Sequence, residues 1–322
     1  MSRAINAKVA LQGFRDGSAL TDKAIKTGFE ELDRVLDGGL YPGFYIVGAI
    51  SSLGKTTFIC QIMDQIARAG NEVILISMEM SAIEIISKSI SRTTFVKTGA
   101  NLDNPGVRNA KTARGITAGE RYKDYSQREK ALIAESIDDY ETYAGLITIV
   151  EGDRELGVDK VRDIVEKFIE QKGKKPVLFL DYLQILAPSD PKATDKINVD
   201  IATSELRRIS RDFKIPVVCV SSLNRNGYDE PVKMESFKES GSIEYSSDVL
   251  IGLEFEGVRN KDANKKKNKI DVNSEKSKNK REIEVVILKQ RNAKTGTFAY
   301  FTYYPAFNCF SERATFGFDD EI

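Results

Sequence analysis

Residues 44–57, FYIVGAISSLGKTT, carry an apolar run into a loop of small residues and straight on into FICQIMDQIARAG, an amphipathic helix. A strand that feeds a helix through such a loop restricts the chain to an α/β arrangement and builds a concave anion site at the junction. Backbone amides of Ser51, Ser52, Leu53, Gly54, Lys55, Thr56 and Thr57, with the positive end of the helix dipole, can surround a phosphate chain. The spacing is that of a Walker A motif, G-x-x-x-x-G-K-[ST], in the context the motif requires. Lys55 is expected to reach the β- and γ-phosphates and Thr56 to place its hydroxyl on Mg²⁺, so ATP and Mg²⁺ are the implied ligands. One position departs from the motif: Ala49 stands where glycine is usual, and Gly48 is one residue out of register. Alanine keeps the loop close but resists a positive φ.

The apolar runs that follow and flank this motif are 44–50, 72–78, 146–150, 176–186, 216–223 and 248–255. Most are apolar at consecutive positions, as expected of parallel strands buried on both faces. Between them, Val158, Val161, Val165 and Phe168, and then Leu206, Ile209 and Phe213, recur at helical steps. Strand–helix repetition of this kind implies right-handed crossovers and helices on both sheet faces. Residues 282–304 read differently, as a C-terminal β-hairpin turning at Ala293–Gly296. Its aromatics Tyr300, Tyr303 and Tyr304, with Phe307 beyond it, are expected to pack the strands rather than to stack bases. Residues 1–25 read as a polar, irregular arm or linker, and Thr27–Glu30 has the T-x-x-E form of a capping box opening a helix that ends at Gly38–Gly39. At 322 residues the chain is long for a single core, yet one α/β domain spanning 26–322 accommodates it.

Composition narrows the chemistry more than the fold. There is no histidine, which excludes histidine triads and histidine metal sites and leaves carboxylates, lysine, arginine and bound metal. The 48 basic and 48 acidic residues cancel, so a nucleic-acid site has to be local. Such a local feature is 259–281, with eight lysines and two arginines and no apolar periodicity. It reads either as a solvated, flexible loop or as a basic arm that touches phosphates. Cys60, Cys219 and Cys309 are odd in number and widely spaced, which fits core thiols in a reducing cytoplasm. No apolar run is long enough to span a membrane and the N-terminus has no signal-like segment.

Two carboxylates complete the candidate site. Asp181 ends the buried run VLFL, where a Walker B aspartate holds Mg²⁺. Glu79 ends another strand in ISMEMS, where it can face the γ-phosphate and polarise a water; by spacing alone it is an ordinary residue ahead of a helix.

The blocks TGFEELDRVLDGGLYPG, GAISSLGKTT, ISMEMS, LDYLQIL, SSLNR, FKESGSIE and LKQRNAKTG, in this order over roughly residues 26–310, resemble the C-terminal motor domain of DnaB-type replicative helicases. The resemblance implies a RecA-like P-loop NTPase fold, ATP hydrolysis, and a homohexameric ring moving 5′→3′ on single-stranded DNA. By the same resemblance Lys55 and Thr56 match the P-loop pair, Glu79 the catalytic glutamate and Asp181 the Walker B acid. Lys289 and Arg291 match basic residues that reach the neighbouring subunit's nucleotide, Arg291 as the arginine finger. Lys238, Glu239 and Gly241 match the central-channel loop that grips DNA phosphates, and loop 187–198 is expected to face the same channel. Ser222 departs from the family, which usually carries a γ-phosphate-sensing glutamine there.

Two other functions remain compatible with these motifs: a RecA-like recombination or branch-migration ATPase, and a nucleotide-locked assembly module that does not unwind DNA. Family members usually carry an N-terminal helical domain that recruits primase, and residues 1–25 are too few for one. That leaves a truncated chain, a motor from a primase–helicase fusion, or a minimal version from a phage or mobile element, with primase or a helicase loader as candidate partners.

Overall fold

The computed structural model describes residues 6–15, 23–153, 155–224, 230–237, 240–259 and 271–313. In chain order the elements are α1 (Ala7–Arg15), α2 (Glu30–Val35), β1 (Gly43–Ala49), α3 (Lys55–Arg68), β2 (Val73–Ser77), α4 (Ala82–Lys97), α5 (Ala113–Thr117), α6 (Gly119–Lys123), α7 (Gln127–Ala144) and β3 (Ile147–Glu151). They continue with α8 (Val158–Lys172), β4 (Val177–Asp181), α9 (Asp195–Phe213), β5 (Pro216–Ser222), α10 (Ser240–Ser246), β6 (Val249–Phe255), α11 (Val272–Ser277), β7 (Arg281–Gln290), β8 (Phe298–Tyr304) and β9 (Cys309–Arg313).

The strands form one sheet in the order β3-β2-β4-β5-β1-β6-β7-β8-β9, parallel from β3 to β6 and antiparallel beyond. Direction of travel sorts the helices. The chain steps one way across the sheet from β1 to β2 to β3 and the opposite way from β3 through β4 and β5 to β6. Right-handed crossovers therefore put α3, α4 and α7 on one face and α8, α9 and α10 on the other. Contacts agree: α3 packs with α4 and α7, and α9 with α8 and α10. The predicted helix stripes face the core, with Val158, Val161, Val165, Phe168, Leu206 and Ile209 all buried.

Several local expectations are corrected. The expected terminal hairpin is a three-stranded meander, because CFSER returns as β9 and pairs with β8. The run 176–186 is a strand only to Asp181; Leu183–Ile185 is a 3₁₀ turn. Thr27 does not cap α2. Its hydroxyl accepts from Phe29 N at 3.2 Å, while its own N–H goes to Asp33 Oδ1 at 2.8 Å. The free amides of α2 are met from 280 residues away, where Glu312 Oε1 on β9 accepts from Leu32 N at 2.9 Å. A carboxylate there answers both the unpaired N–H groups and the helix dipole.

The N-terminal arm is not wholly irregular: α1 forms behind Asn6, whose Oδ1 accepts from Lys8 N, and leaves Leu11 and Phe14 exposed. In the loop 187–198, residues from Asp195 onward already belong to α9, capped by Thr194. The lysine-rich stretch is also not one loop. Asp271 accepts from Asn273 N and Ser274 N to start α11, Val272 packs on the core, and Arg281 opens β7. Of the aromatics, Tyr303 packs strand against strand, stacked on Phe310 of β9, whereas Phe307 and Tyr304 pack on Phe95 of α4.

Candidate nucleotide site and a distant basic pair

The P-loop strand β1 is central, and its carboxyl end opens into a cavity of about 600 Å³. Ser51, Ser52, Gly54, Lys55, Thr56 and Thr57 line it, together with Glu79, Asp181 and Ser222 from the ends of β2, β4 and β5. Register explains the convergence: Ala49 lies beside Ser222, and Ser77 beside Asp181, so parallel strands end together. This is where open α/β sheets bind ligands.

The loop conformation removes the difficulty posed by Ala49. That residue is the last of β1, with ordinary extended backbone, and the positive φ values fall at Ser52 (67°) and Gly54 (92°). Gly54 is required twice over, since a Cβ there would also stand 2.8 Å from the Tyr303 ring. Leu53 differs from expectation. Its side chain is fully buried and its N–H turns back to Ile50 O, so it anchors the loop rather than lining the cavity.

Lys55 Nζ donates to Ala49 O at 3.0 Å, which folds the side chain back over the loop. Burial lowers its pKa, against the opposing pull of Asp181 and Glu79. A partly desolvated ammonium held among loop amides gains more from an arriving phosphate than it would in water. Asp181 is buried at the floor. Burial raises its pKa, a side-chain hydrogen bond with Thr56 acts the other way, and its Oδ2 has no partner among the described residues.

That orphaned carboxylate oxygen beside a threonine hydroxyl fits Mg²⁺. No group of three or more acidic, cysteine or histidine side chains that could cage a metal exists among the described residues. Mg²⁺ needs none, because it binds through one or two protein oxygens and takes the rest from phosphates and water. Glu79 is exposed at the rim, close enough for its charge to act on Lys55, Asp181 and Tyr182.

Ser222 lines the cavity, and its backbone N–H goes to Gln184 Oε1 at 3.3 Å while Gln184 Nε2 donates to Ser221 Oγ at 2.9 Å. Sequence reasoning missed Lys88, Arg281 and Asn308, which also border the cavity. Lys88, on α4, donates to Asn308 Oδ1 at 3.2 Å, and the buried Arg92–Asp64 ion pair ties that helix to α3. Arg281 donates to Ser52 O at 2.8 Å and lies over the Tyr303 ring. The end of the lysine-rich stretch thus lies against the phosphate loop, while residues 260–270 of that stretch lie outside the described residues.

Lys289 and Arg291 are elsewhere. Antiparallel pairing sets Lys289 against Leu250 and Gln290 against Val249, which lie beside Ile46 and Tyr45 of β1. Arg291 N bonds Asp248 O, and the Asp248 N–H goes to Phe44 O near the start of that strand. The P-loop leaves the other end of β1, roughly 13 Å along the strand. Lys289 Nζ bonds the carbonyls of Glu244 and Ser247 and so closes the end of α10. Arg291 donates to Tyr245 O at 3.2 Å and pairs through Nε with Asp248 Oδ1 at 3.1 Å. It lines a second cleft, of about 740 Å³, with Arg207, Arg211, Lys214 and Asp37. Of the DNA-loop candidates, Gly241 is exposed in α10, whereas Lys238 and Glu239 lie outside the described residues.

Residues 24–312 match the family described as DnaB-like helicase C terminal domain. The chain belongs to this family. Among relatives of this DnaB-like domain, the replicative DNA helicase DnaB of Geobacillus stearothermophilus is 28% identical over 288 residues, covering 88% of the chain and 55% of that protein. The replicative DNA helicase DnaC of Bacillus subtilis is 27% identical over 278 residues, covering 85% and 53%. The chain thus spans about half the length of the curated relatives it matches. A solved structure described as an ATPase domain superposes with a TM-score of 0.76 at 20% identity, over 97% of this chain and 100% of that one. A DnaB-like replicative helicase, described with its interactions with primase, superposes with a TM-score of 0.72 at 21% identity, over 96% and 67%. These likenesses establish the RecA-like fold expected from the motif blocks.

Proposed function

We propose that this DnaB-like domain is an ATP-hydrolysing helicase motor that works at the interfaces of a homo-oligomeric, hexameric ring, moving 5′→3′ on single-stranded DNA and separating duplex ahead of it. The observation that carries the reading is the division of one constellation between two ends of the sheet. Lys55, Thr56, Asp181 and Glu79 converge at the carboxyl end of β1, while Arg291 stands at its other end, out of reach of its own cavity. A head-to-tail neighbour would bring the two halves together.

In that arrangement loop amides and Lys55 hold the triphosphate, and Thr56 and Asp181 hold Mg²⁺. Bound there, Mg²⁺ would supply positive charge that offsets the charge of the phosphate oxygens. Glu79 orients the attacking water at the rim and accepts its proton. Arg291 of one subunit supplies positive charge to the γ-phosphoryl group of the next, which makes hydrolysis depend on assembly. Ser222 is too short for direct γ-phosphate contact and acts through water. The α10 region, with Lys238, Glu239 and Gly241, takes the DNA backbone without reading sequence. Primase or a helicase loader is the expected protein partner, and the three buried free thiols accord with a cytoplasmic setting.

The test combines three measurements on the same preparation: native mass with an ATP analogue and single-stranded DNA, ATP turnover, and strand displacement from a forked duplex. Turnover at full rate by a strict monomer would sink the ring. Turnover with no displacement would instead favour a recombination-type ATPase, and no DNA-stimulated turnover an assembly module.

A further inference from the structure

The cleft that holds Arg291 contains a carboxylate whose geometry is tied to that arginine from both sides. Asp248 Oδ1 forms an ion pair with Arg291 Nε at 3.1 Å, and Asp248 O accepts from the Arg291 backbone N–H at 3.1 Å. Asp248 is itself fixed to the first strand of the site: Oδ2 accepts from Phe44 N at 2.9 Å, and its own N–H goes to Phe44 O at 2.8 Å. A second cation, Arg207 on α9, stands 3.5 Å from Oδ1 and lines the same cleft.

We propose that Asp248 is the positioning residue for Arg291, holding its guanidinium side-on so that the terminal amino groups face the neighbouring copy. The inference rests on the trans-acting reading of Arg291 given above. Three features of the contacts support it. An Nε contact leaves the Nη pair of the planar fork for a phosphate, where a bidentate end-on pair would occupy it. Nη1 has no hydrogen-bond partner among the described residues, and Nη2 has only the carbonyl of Tyr245. Charge balance also survives engagement. If the Arg291 charge turns to a phosphate, Asp248 keeps the Phe44 N–H and Arg207, so no carboxylate is stranded.

Anchoring on Phe44 adds a consequence. Phe44 is the second residue of the strand that ends in the subunit's own P-loop. The arginine offered to the next site is therefore set by the same rigid strand that presents Lys55 to its own.

The experiment is a double-mutant cycle on the assembled protein with Asp248→Asn and Arg291→Ala, reading kcat, KM for ATP, binding of an ATP analogue, and native mass. Asp248→Asn is expected to lower kcat about tenfold with KM, analogue binding and mass unchanged. In the Arg291→Ala background it is expected to add nothing. Wild-type kcat in Asp248→Asn would overturn the assignment. So would a further loss on top of Arg291→Ala, or a parallel loss of analogue binding or mass, since each means that Asp248 acts on the fold and not through Arg291. Wild-type turnover in Arg291→Ala itself is a different outcome: it removes the trans-acting arginine, and Asp248's role with it.

Discussion

The ring of Phe237 lies so close to Gly48 that a Cβ on the glycine would stand 2.2 Å from Cε1. Gly48 is the next-to-last residue of the strand that enters the P-loop, and Phe237 immediately precedes the segment assigned by resemblance to DNA. Leu223, one residue past Ser222, bridges to Phe237, and Asn224 N donates to Ser236 O at 2.8 Å. The phosphate loop, the end of β5 and the root of the proposed DNA loop therefore meet at one packed point.

Gly48→Ala is expected to force Phe237 away and to destabilise the domain by about 1–3 kcal/mol, the usual cost of overpacking a filled core. Denaturant unfolding measures the loss. In a Phe237→Ala background the same change should cost much less, because the space is already open. Stimulation of ATP turnover by single-stranded DNA should fall in Gly48→Ala more than basal turnover does.

Arg281 is a cation of the same subunit at the nucleotide cavity, held by Ser52 O and the Tyr303 ring. Arg281→Ala is expected to raise KM for ATP on the order of tenfold, the scale of a charge-assisted hydrogen bond, with kcat little changed. Steady-state kinetics checks the split. A fall in kcat at constant KM would mean that Arg281 acts on the reaction step rather than on binding.

The apolar runs made the parallel sheet legible because strands covered on both faces are apolar throughout, and the P-loop was legible because its chemistry is local in the chain. What escaped was non-local. Thr27 satisfies a capping pattern on paper, but Asp33 and Phe29 claim its groups and the cap comes from Glu312, which no local window can see. CFSER is too short and too mixed to announce itself as β9. Arg281 ends a run of cations indistinguishable by composition from a solvated loop, and only the β7 register brings it to Ser52. The same register separates Arg291 from Lys55, so resemblance supplied the trans role and strand pairing supplied a reason for it. Lys289 lies at the same end of the sheet as Arg291, where its ammonium closes α10.

Acid should expose a contact remote from the site. The Lys111 ammonium beside Glu129, aided by Ser126, holds that carboxyl at about 2, below its ordinary 4.5. A depressed carboxylate stabilises the fold above pH 4.5, and the contribution is lost as pH falls towards 2. Glu129→Gln is therefore expected to lower stability at neutral pH and to flatten the decline between pH 4.5 and 2. Denaturant titrations of both proteins across that range check it. Equal slopes would show that the pair contributes nothing.

The decisive expectation concerns Arg291. Arg291→Ala should still bind an ATP analogue, since the P-loop end of the sheet is untouched, yet hydrolyse ATP slower by on the order of 10³-fold, the scale of a removed arginine finger. Lys55→Ala should be inactive for the complementary reason. A subunit with Lys55→Ala still offers Arg291, and one with Arg291→Ala still offers a complete P-loop. Mixed in equal amounts and allowed to exchange, the two inactive proteins form complete sites at about a quarter of head-to-tail interfaces. ATP turnover should then reappear. An arginine that served its own subunit's nucleotide would give no recovery at any mixing ratio, because no subunit in the mixture carries both groups.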